Sequence, residues 1–225
     1  MTRQTINLTA TLLCGALAAC AGGPSADEGP ARVETFVGWI ERVHVESELA
    51  KERAGEALVA LQTLVSPDGG GDAVAAYAVL ASAIDRSEQQ AKNLKDAVEP
   101  MKAASKPVFQ RWEKDLDGFT SERLRERSRQ RLDDTRSRYE ELVAVVDPAL
   151  ASLETFNATL RDHALFLGND LNSSSLSILE DEVDQMGEDA VALDDLLSRT
   201  MVTSRAYVET SATPMRVETA RPIGR

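Results

Sequence analysis

The chain is poor in the residues that most catalytic chemistry and most β-structure require. Aromatics make up 4% of its 225 residues, and there are only two histidines and two cysteines. Ala, Leu, Val, Glu, Asp, Lys and Arg dominate instead. That balance disfavours a sheet of β-branched and aromatic side chains and favours helices packed through aliphatic seams. Positive charge is outweighed, with 25 Lys and Arg against 37 Asp and Glu, for a formal charge of -12. Such an excess of acid excludes a general nucleic-acid binder, which needs a basic face to neutralise phosphates. It also excludes adhesion to anionic lipid through the protein surface alone. His44 and His163 lie far apart and have no cysteine ligands near them, so the spacing of a zinc site is missing.

The N-terminus reads MTRQTINLTATLLCGALAAC. Arg3 gives a short positive start, and the mildly apolar stretch from Thr5 to Ala19 is too short for a spanning helix, which needs roughly 20 apolar residues. It ends in Leu17-Ala18-Ala19-Cys20, which resembles a bacterial lipobox: an aliphatic residue, two small residues, then cysteine. The small residues fit the narrow site of a signal peptidase, and the Cys20 thiol accepts a diacylglyceryl group. Cys14 is a poor rival because Leu12 and Leu13 precede it. The competing reading is an ordinary secretory signal that happens to contain a cysteine. The expectation is a signal peptide over residues 1–19 and a lipidated Cys20 opening a flexible, Gly- and Pro-rich tether over 20–32. Ala21 stands where an Asp would resemble an inner-membrane retention signal. The lipid is therefore expected in the cell envelope, at the outer membrane facing the periplasm. Removal of Arg3 makes the mature chain one unit more acidic, and no free thiol remains for a disulfide or a metal.

The body, expected over residues 33–208, has a seven-residue rhythm. Phe36, Val43, Ala50, Ala57 and Leu64 share one heptad position, and Ile40, Ser47, Ala54 and Leu61 share a second. The run Ser66-Pro67-Asp68-Gly69-Gly70-Gly71 ends that helix, and Asp72 caps the next. The second apolar face runs through Tyr77, Leu80, Ile84, Ala91, Leu94, Val98 and Met101. Pro100 and Pro107 are expected to break or kink it, with Ser105 capping a short helix between them. After a bend at Gly118 and a cap at Thr120 or Ser121, Leu132, Tyr139, Val146, Leu153, Leu160 and Leu167 recur every seventh residue. Thr135, Leu142, Ala149, Phe156 and His163 form the companion row. Asp147-Pro148 is the weak point, either a kink or the start of a new helix. Gly168-Asn169 ends this segment, and Asn172 to Ser175 starts a final helix carrying Leu176, Leu179, Val183, Met186, Ala190, Leu193, Leu197 and Met201. Residues 209–225 lack periodicity and are expected to be disordered. The fold class is all-α: an elongated antiparallel helical bundle of long, coiled-coil-like helices.

A further set of residues carries a resemblance. Phe109, Trp112 and Glu113 are followed by Leu124-Arg125, Ser128, Leu132, Thr135, Arg136, Arg138 and Tyr139, then by Asp147-Pro148 and Leu150. The run from Arg161-Asp162-His163-Ala164-Leu165-Phe166-Leu167 through Leu171-Asn172 and Ser177 to Leu179 completes the set. Together they resemble a bacterial helical family classed as domain of unknown function 2959. Looser similarity extends over residues 36–209. Gly168-Asn169 stands where that family's pattern has a basic pair. The resemblance implies a helical fold and an envelope setting, and carries no activity.

No catalytic constellation stands out. Arg123, Arg127 and Arg131 line one side of a helix, while Arg125 and Arg129 lie nearly opposite; with Glu122, Glu126, Asp133 and Asp134 nearby this reads as a solvated, ion-paired face rather than a phosphate site. The acidic run Glu180, Asp181, Glu182, Asp184, Glu188, Asp189, Asp194, Asp195 lacks the loop of a calcium hand; it is expected to face water or to pair with the arginine-rich helix. Ser173-Ser174-Ser175 has no nucleophile-elbow context, and Gly69-Gly70-Gly71 lacks the Lys-Ser or Lys-Thr of a phosphate loop. Trp39 and Trp112 read as packing anchors. The expected function is therefore a non-enzymatic envelope scaffold or interaction protein with no cofactor and no metal. Its partners would be a membrane reached through the lipid, another envelope protein and, as an option, a second copy of itself. The alternative is a helical module holding a lipid or small hydrophobe between its helices, which would require an apolar cavity.

Overall fold

A computed structural model describes residues 28–66 and 72–211. Cys20 and the lipobox residues Leu17, Ala18 and Ala19 lie outside the described residues, as do residues 67–71 and everything after Ser211. Among the described residues there are five helices and no strand: α1 (Glu28–Val65), α2 (Ala73–Leu116), α3 (Glu122–Asn169), α4 (Ser173–Ile178) and α5 (Glu180–Ser211). Contacts between helices fix their directions. Phe36 meets Phe109 near the start of α1 and the end of α2, and Gln90 Nε2 reaches the Glu46 carbonyl at 3.1 Å, so these two run antiparallel. Ser87 with Asn157 and Lys95 with Glu154 set α2 against α3 in the same sense. His163 with Glu182 joins the end of α3 to the start of α5. Lys51 with Asp194 and His44 with Met201 then close α5 back onto α1. The result is an up-down-up-down four-helix ring with its core along the shared axis.

The heptad rows form that core. Every named position of both α1 rows is buried, from Phe36 and Ile40 through Leu61 and Leu64, including Ser47. On α3, Leu142, Val146, Leu153, Leu160 and Leu167 are fully buried, each contributing roughly 1.5–3 kcal/mol of apolar transfer. Near the N-terminal end of α1 the aliphatic seam gives way to an aromatic cluster. Phe36 packs edge-on against Phe109, Tyr139 and Tyr207 with ring centroids 5.9, 5.5 and 5.7 Å away, one ring from each helix of the bundle.

Several element boundaries differ from the sequence reading, each for a local reason. Helix α1 already includes residues 28–32, assigned above to the tether. Pro30 falls in its first turn, where a backbone N–H would have no intrahelical partner. Pro100 and Pro107 do not break α2, and Pro148 does not end α3. The carbonyls these prolines leave unbonded belong to Asp96, Ala103 and Ala144, all exposed residues. Ser105 caps nothing; its buried hydroxyl donates to the Lys102 carbonyl at 2.8 Å. Ser121 rather than Thr120 caps α3, accepting from the Leu124 N–H. The single final helix is two: Asn172 caps α4 through the N–H groups of Ser174 and Ser175, and Leu179 separates it from α5. Glu209 to Ser211, assigned above to the tail, complete α5.

Candidate functional site

Polar side chains inside the bundle gather in three places, and in each they are consumed chiefly by helix–helix bonds. Midway along the axis, Glu46 is 2% exposed. Its carboxylate accepts from Gln90 Nε2 and pairs with Arg42 one turn earlier, both at 2.5 Å. Ser87 Oγ donates to Asn157 Oδ1 at 2.6 Å, while Asn157 Nδ2 is buried without a protein partner. This layer ties α1, α2 and α3 in register. A buried polar layer of this kind specifies alignment more than it adds stability.

The second place is the end where α3 meets α4 and α5. Arg161 reaches across to α2, its Nε donating to Glu88 at 2.9 Å and its Nη2 to Asp85 at 2.6 Å. The hydrogen bond to Glu88, then that to Asp85, hold the guanidinium protonated well above its ordinary range, against a smaller opposing effect of burial. His163, 6% exposed, lies 2.7 Å from Glu182 through Nε2, and its Nδ1 has no partner. Tyr77 Oη donates to the Ala164 carbonyl at 3.0 Å. A Cβ on Gly168 would stand 2.6 Å from that same oxygen, so glycine is what admits the tyrosine here. Just outside, Leu165 and Phe166 are 63% and 40% exposed.

At the opposite end, Trp112 Nε1 donates to Ser128 at 2.9 Å, and Arg136 spans from Glu113 at 2.7 Å to the face of Phe109 at 5.4 Å. Burial pushes the Tyr207 hydroxyl up to about 12, with Arg138 and Ser211 opposing it. His44, on α1, places Nδ1 2.9 Å from the Met201 carbonyl while Arg205 lies 3.1 Å from its Nε2. That pattern makes Nδ1 the donor and Nε2 the acceptor.

The charged runs separate. Arg125 pairs with Glu122 at 2.9 Å and Arg129 with Glu126 at 3.4 Å, but Arg123, Arg127 and Arg131 are exposed and form no ion pair among the described residues. The ion-paired face read from the sequence is thus only half of that helix. The acidic run of α5 does not pair with these arginines, because antiparallel packing sets its start against the His163 end of α3. Its Asp194 pairs with Lys51 at 2.8 Å instead. Among the described residues no three His, Cys, Asp or Glu side chains are placed to hold a metal ion, and no helix is long and apolar enough to cross a membrane. Hollows lie along the helix grooves, such as one of about 670 Å³ between α1 and α2 beside Trp39, Arg42, Asn93 and Asp96. Trp39 is thus half-buried at a groove, and Trp112 is half-buried with its N–H bonded. The interhelical bonds of Trp112, Ser128 and Arg161 carried no periodic signal and were legible only as residue types in the resemblance. A family model described as a protein of unknown function, DUF2959, matches residues 27–211. No curated protein and no solved structure matches the chain.

Proposed function

The chain belongs to the DUF2959 family, proteins of unknown function, and we propose that it is a lipid-anchored envelope protein whose helical bundle acts without catalysis, as a scaffold or dock for another protein. The observation that carries this reading is how the interior is filled. Aliphatic heptad rows occupy the axis, and most of the buried polar groups among them, from Glu46 and Gln90 to Ser87 and His163, bond to a side chain of another helix. Side chains spent on one another in this way are held in place and are not poised toward a reacting centre. The anchor rests on the lipobox ending at Cys20, and the envelope assignment on the same residues. Support for docking comes from Leu165 and Phe166, adjacent apolar side chains left exposed where α3 ends.

Crosslinking in intact cells tests the proposal. A discrete crosslinked protein partner, or a second copy, is expected from wild type and is lost in a Leu165→Asp, Phe166→Ser variant that unfolds at the same temperature. Crosslinks unchanged in that variant would move the docking face elsewhere. A stoichiometric hydrophobe co-purifying with the protein would replace the scaffold by the carrier reading. Mass spectrometry of the N-terminal peptide checks the anchor directly: acyl chains on Cys20 are expected, and an unmodified thiol refutes it.

A further inference from the structure

The first turns of α3 differ from the rest of the surface in place and in charge. Beyond the aromatic cluster α3 continues from Tyr139 back to Glu122, about 25 Å of helix, whereas α1 continues from Phe36 to Glu28, about 12 Å, and α5 from Tyr207 to Ser211, about 6 Å. The start of α3 therefore overhangs the bundle at the end where α1 begins. Arg123, Arg127 and Arg131 form an exposed ridge along this overhang, with Leu124, 46% exposed, beside them. Nearby acids are engaged or set back. Glu122 pairs with Arg125, and Glu126 binds Arg129 and Gln130. Asp133 and Asp134 are exposed beyond the ridge, Asp134 on its face one turn after Arg131, so the ridge is free of acid from Arg123 to Arg131 and ends there. Cys20 precedes Glu28 by eight residues, a reach of at most about 29 Å. An anchor at Cys20 keeps this end of the bundle at the bilayer.

We infer that the Arg123–Arg127–Arg131 ridge rests on anionic phospholipid headgroups, an inference that depends on the anchoring at Cys20 proposed above. A guanidinium places two N–H bonds on one phosphate. Each basic residue near an anionic surface favours contact by about fivefold. Three arginines cannot hold so acidic a chain, with a formal charge of -12 before the signal is removed, on a membrane unaided, so the lipid holds the protein and the ridge orients it. Lipid rather than nucleic acid is the occupant, because the tether brings only the bilayer to this end and the acidic body repels a free polyanion.

Protein purified from its own membranes is reconstituted on vesicles of phosphatidylcholine, with or without phosphatidylglycerol, and trypsin cleavage after Arg127 is followed against cleavage after the exposed Lys92 of α2. Arg127 is expected to be cut several-fold more slowly only on the phosphatidylglycerol vesicles, with protection lost in high salt. An Arg123→Gln, Arg131→Gln variant keeps the reporting site and should lose most of that protection. Equal cleavage on both vesicles, or protection that survives in the variant or in high salt, overturns the inference. So does protection by an added RNA oligonucleotide on phosphatidylcholine vesicles with none from phosphatidylglycerol. The N-terminal peptide of the same sample separates the two claims: acylated Cys20 without protection refutes the headgroup contact alone, and a Cys20 without acyl chains refutes the anchor and, with it, the arrangement in which the lipid holds the protein and the ridge orients it.

Discussion

From Leu132 to Leu167, α3 sets a side chain into the core at almost every heptad position, whereas from Glu122 to Arg131 it buries none. Both stretches are helical, and the second is rich in good helix formers. What separates them is the partner. The buried stretch is held by α1, α2 and α5. The overhang is held by its Ser121 cap, the Arg125–Glu122 and Arg129–Glu126 pairs, the Arg125 bond to the Phe119 carbonyl and the Trp112–Ser128 bond to α2. Caps and exposed pairs contribute about 1 kcal/mol each or less, so one half of α3 stabilises the fold and the other half is free to serve a surface role.

Substitutions should expose that asymmetry. Leu153→Ala, in the middle of the buried row, should cost about 2–5 kcal/mol in urea unfolding, with no change in the urea dependence of the free energy. A loss below about 1 kcal/mol would mean that the seam can collapse around the gap. Gly168→Ala comes next, at about 1–3 kcal/mol. Its methyl group meets the Tyr77 hydroxyl and should both overpack the site and break the bond to the Ala164 carbonyl. Adding Tyr77→Phe to Gly168→Ala should recover part of that loss, because the oxygen in conflict is gone; no recovery would place the cost in the α3 backbone.

The aromatic cluster marks the boundary between the two halves, and pH reaches it. Burial raises the folded-state pKa of Tyr207 from 10.0 to about 12. The folded protein keeps that proton where the unfolded chain releases it. Its contribution is therefore complete below pH 10 and is lost as the pH rises toward 12, about 3 kcal/mol in all. Tyr207→Phe should flatten this part of the base-unfolding profile. An unchanged slope between pH 10 and 12 would assign the loss to other groups.

How much of this was legible depends on what each residue does. The rows through Phe36, Leu61, Leu153 and Leu167 could be read because burial repeats with the helix. At the three internal prolines the sequence left a break open, because spacing does not reveal that Asp96, Ala103 and Ala144, whose carbonyls are freed, lie on exposed positions. Glu46, Gln90 and Asn157 went unread as a layer, since polar residues at core positions have no period of their own and meet only across three helices. The arginine run was visible, but its division into paired and unpaired sides requires the rotamers, and its place on an overhang requires the register of all four helices.

The smallest expected effect is also the sharpest test of the two-halves picture. Replacing Arg123, Arg127 and Arg131 together by Gln removes three exposed charges that form no ion pair among the described residues. Stability should change by no more than about 0.5 kcal/mol, because Gln is as good a helix former and nothing packed is lost. If thermal unfolding instead shifts as it does for a core substitution, the overhang is tied into the bundle more tightly than its exposed side chains suggest. A silent result in solution leaves the arginines with no work to do inside the fold.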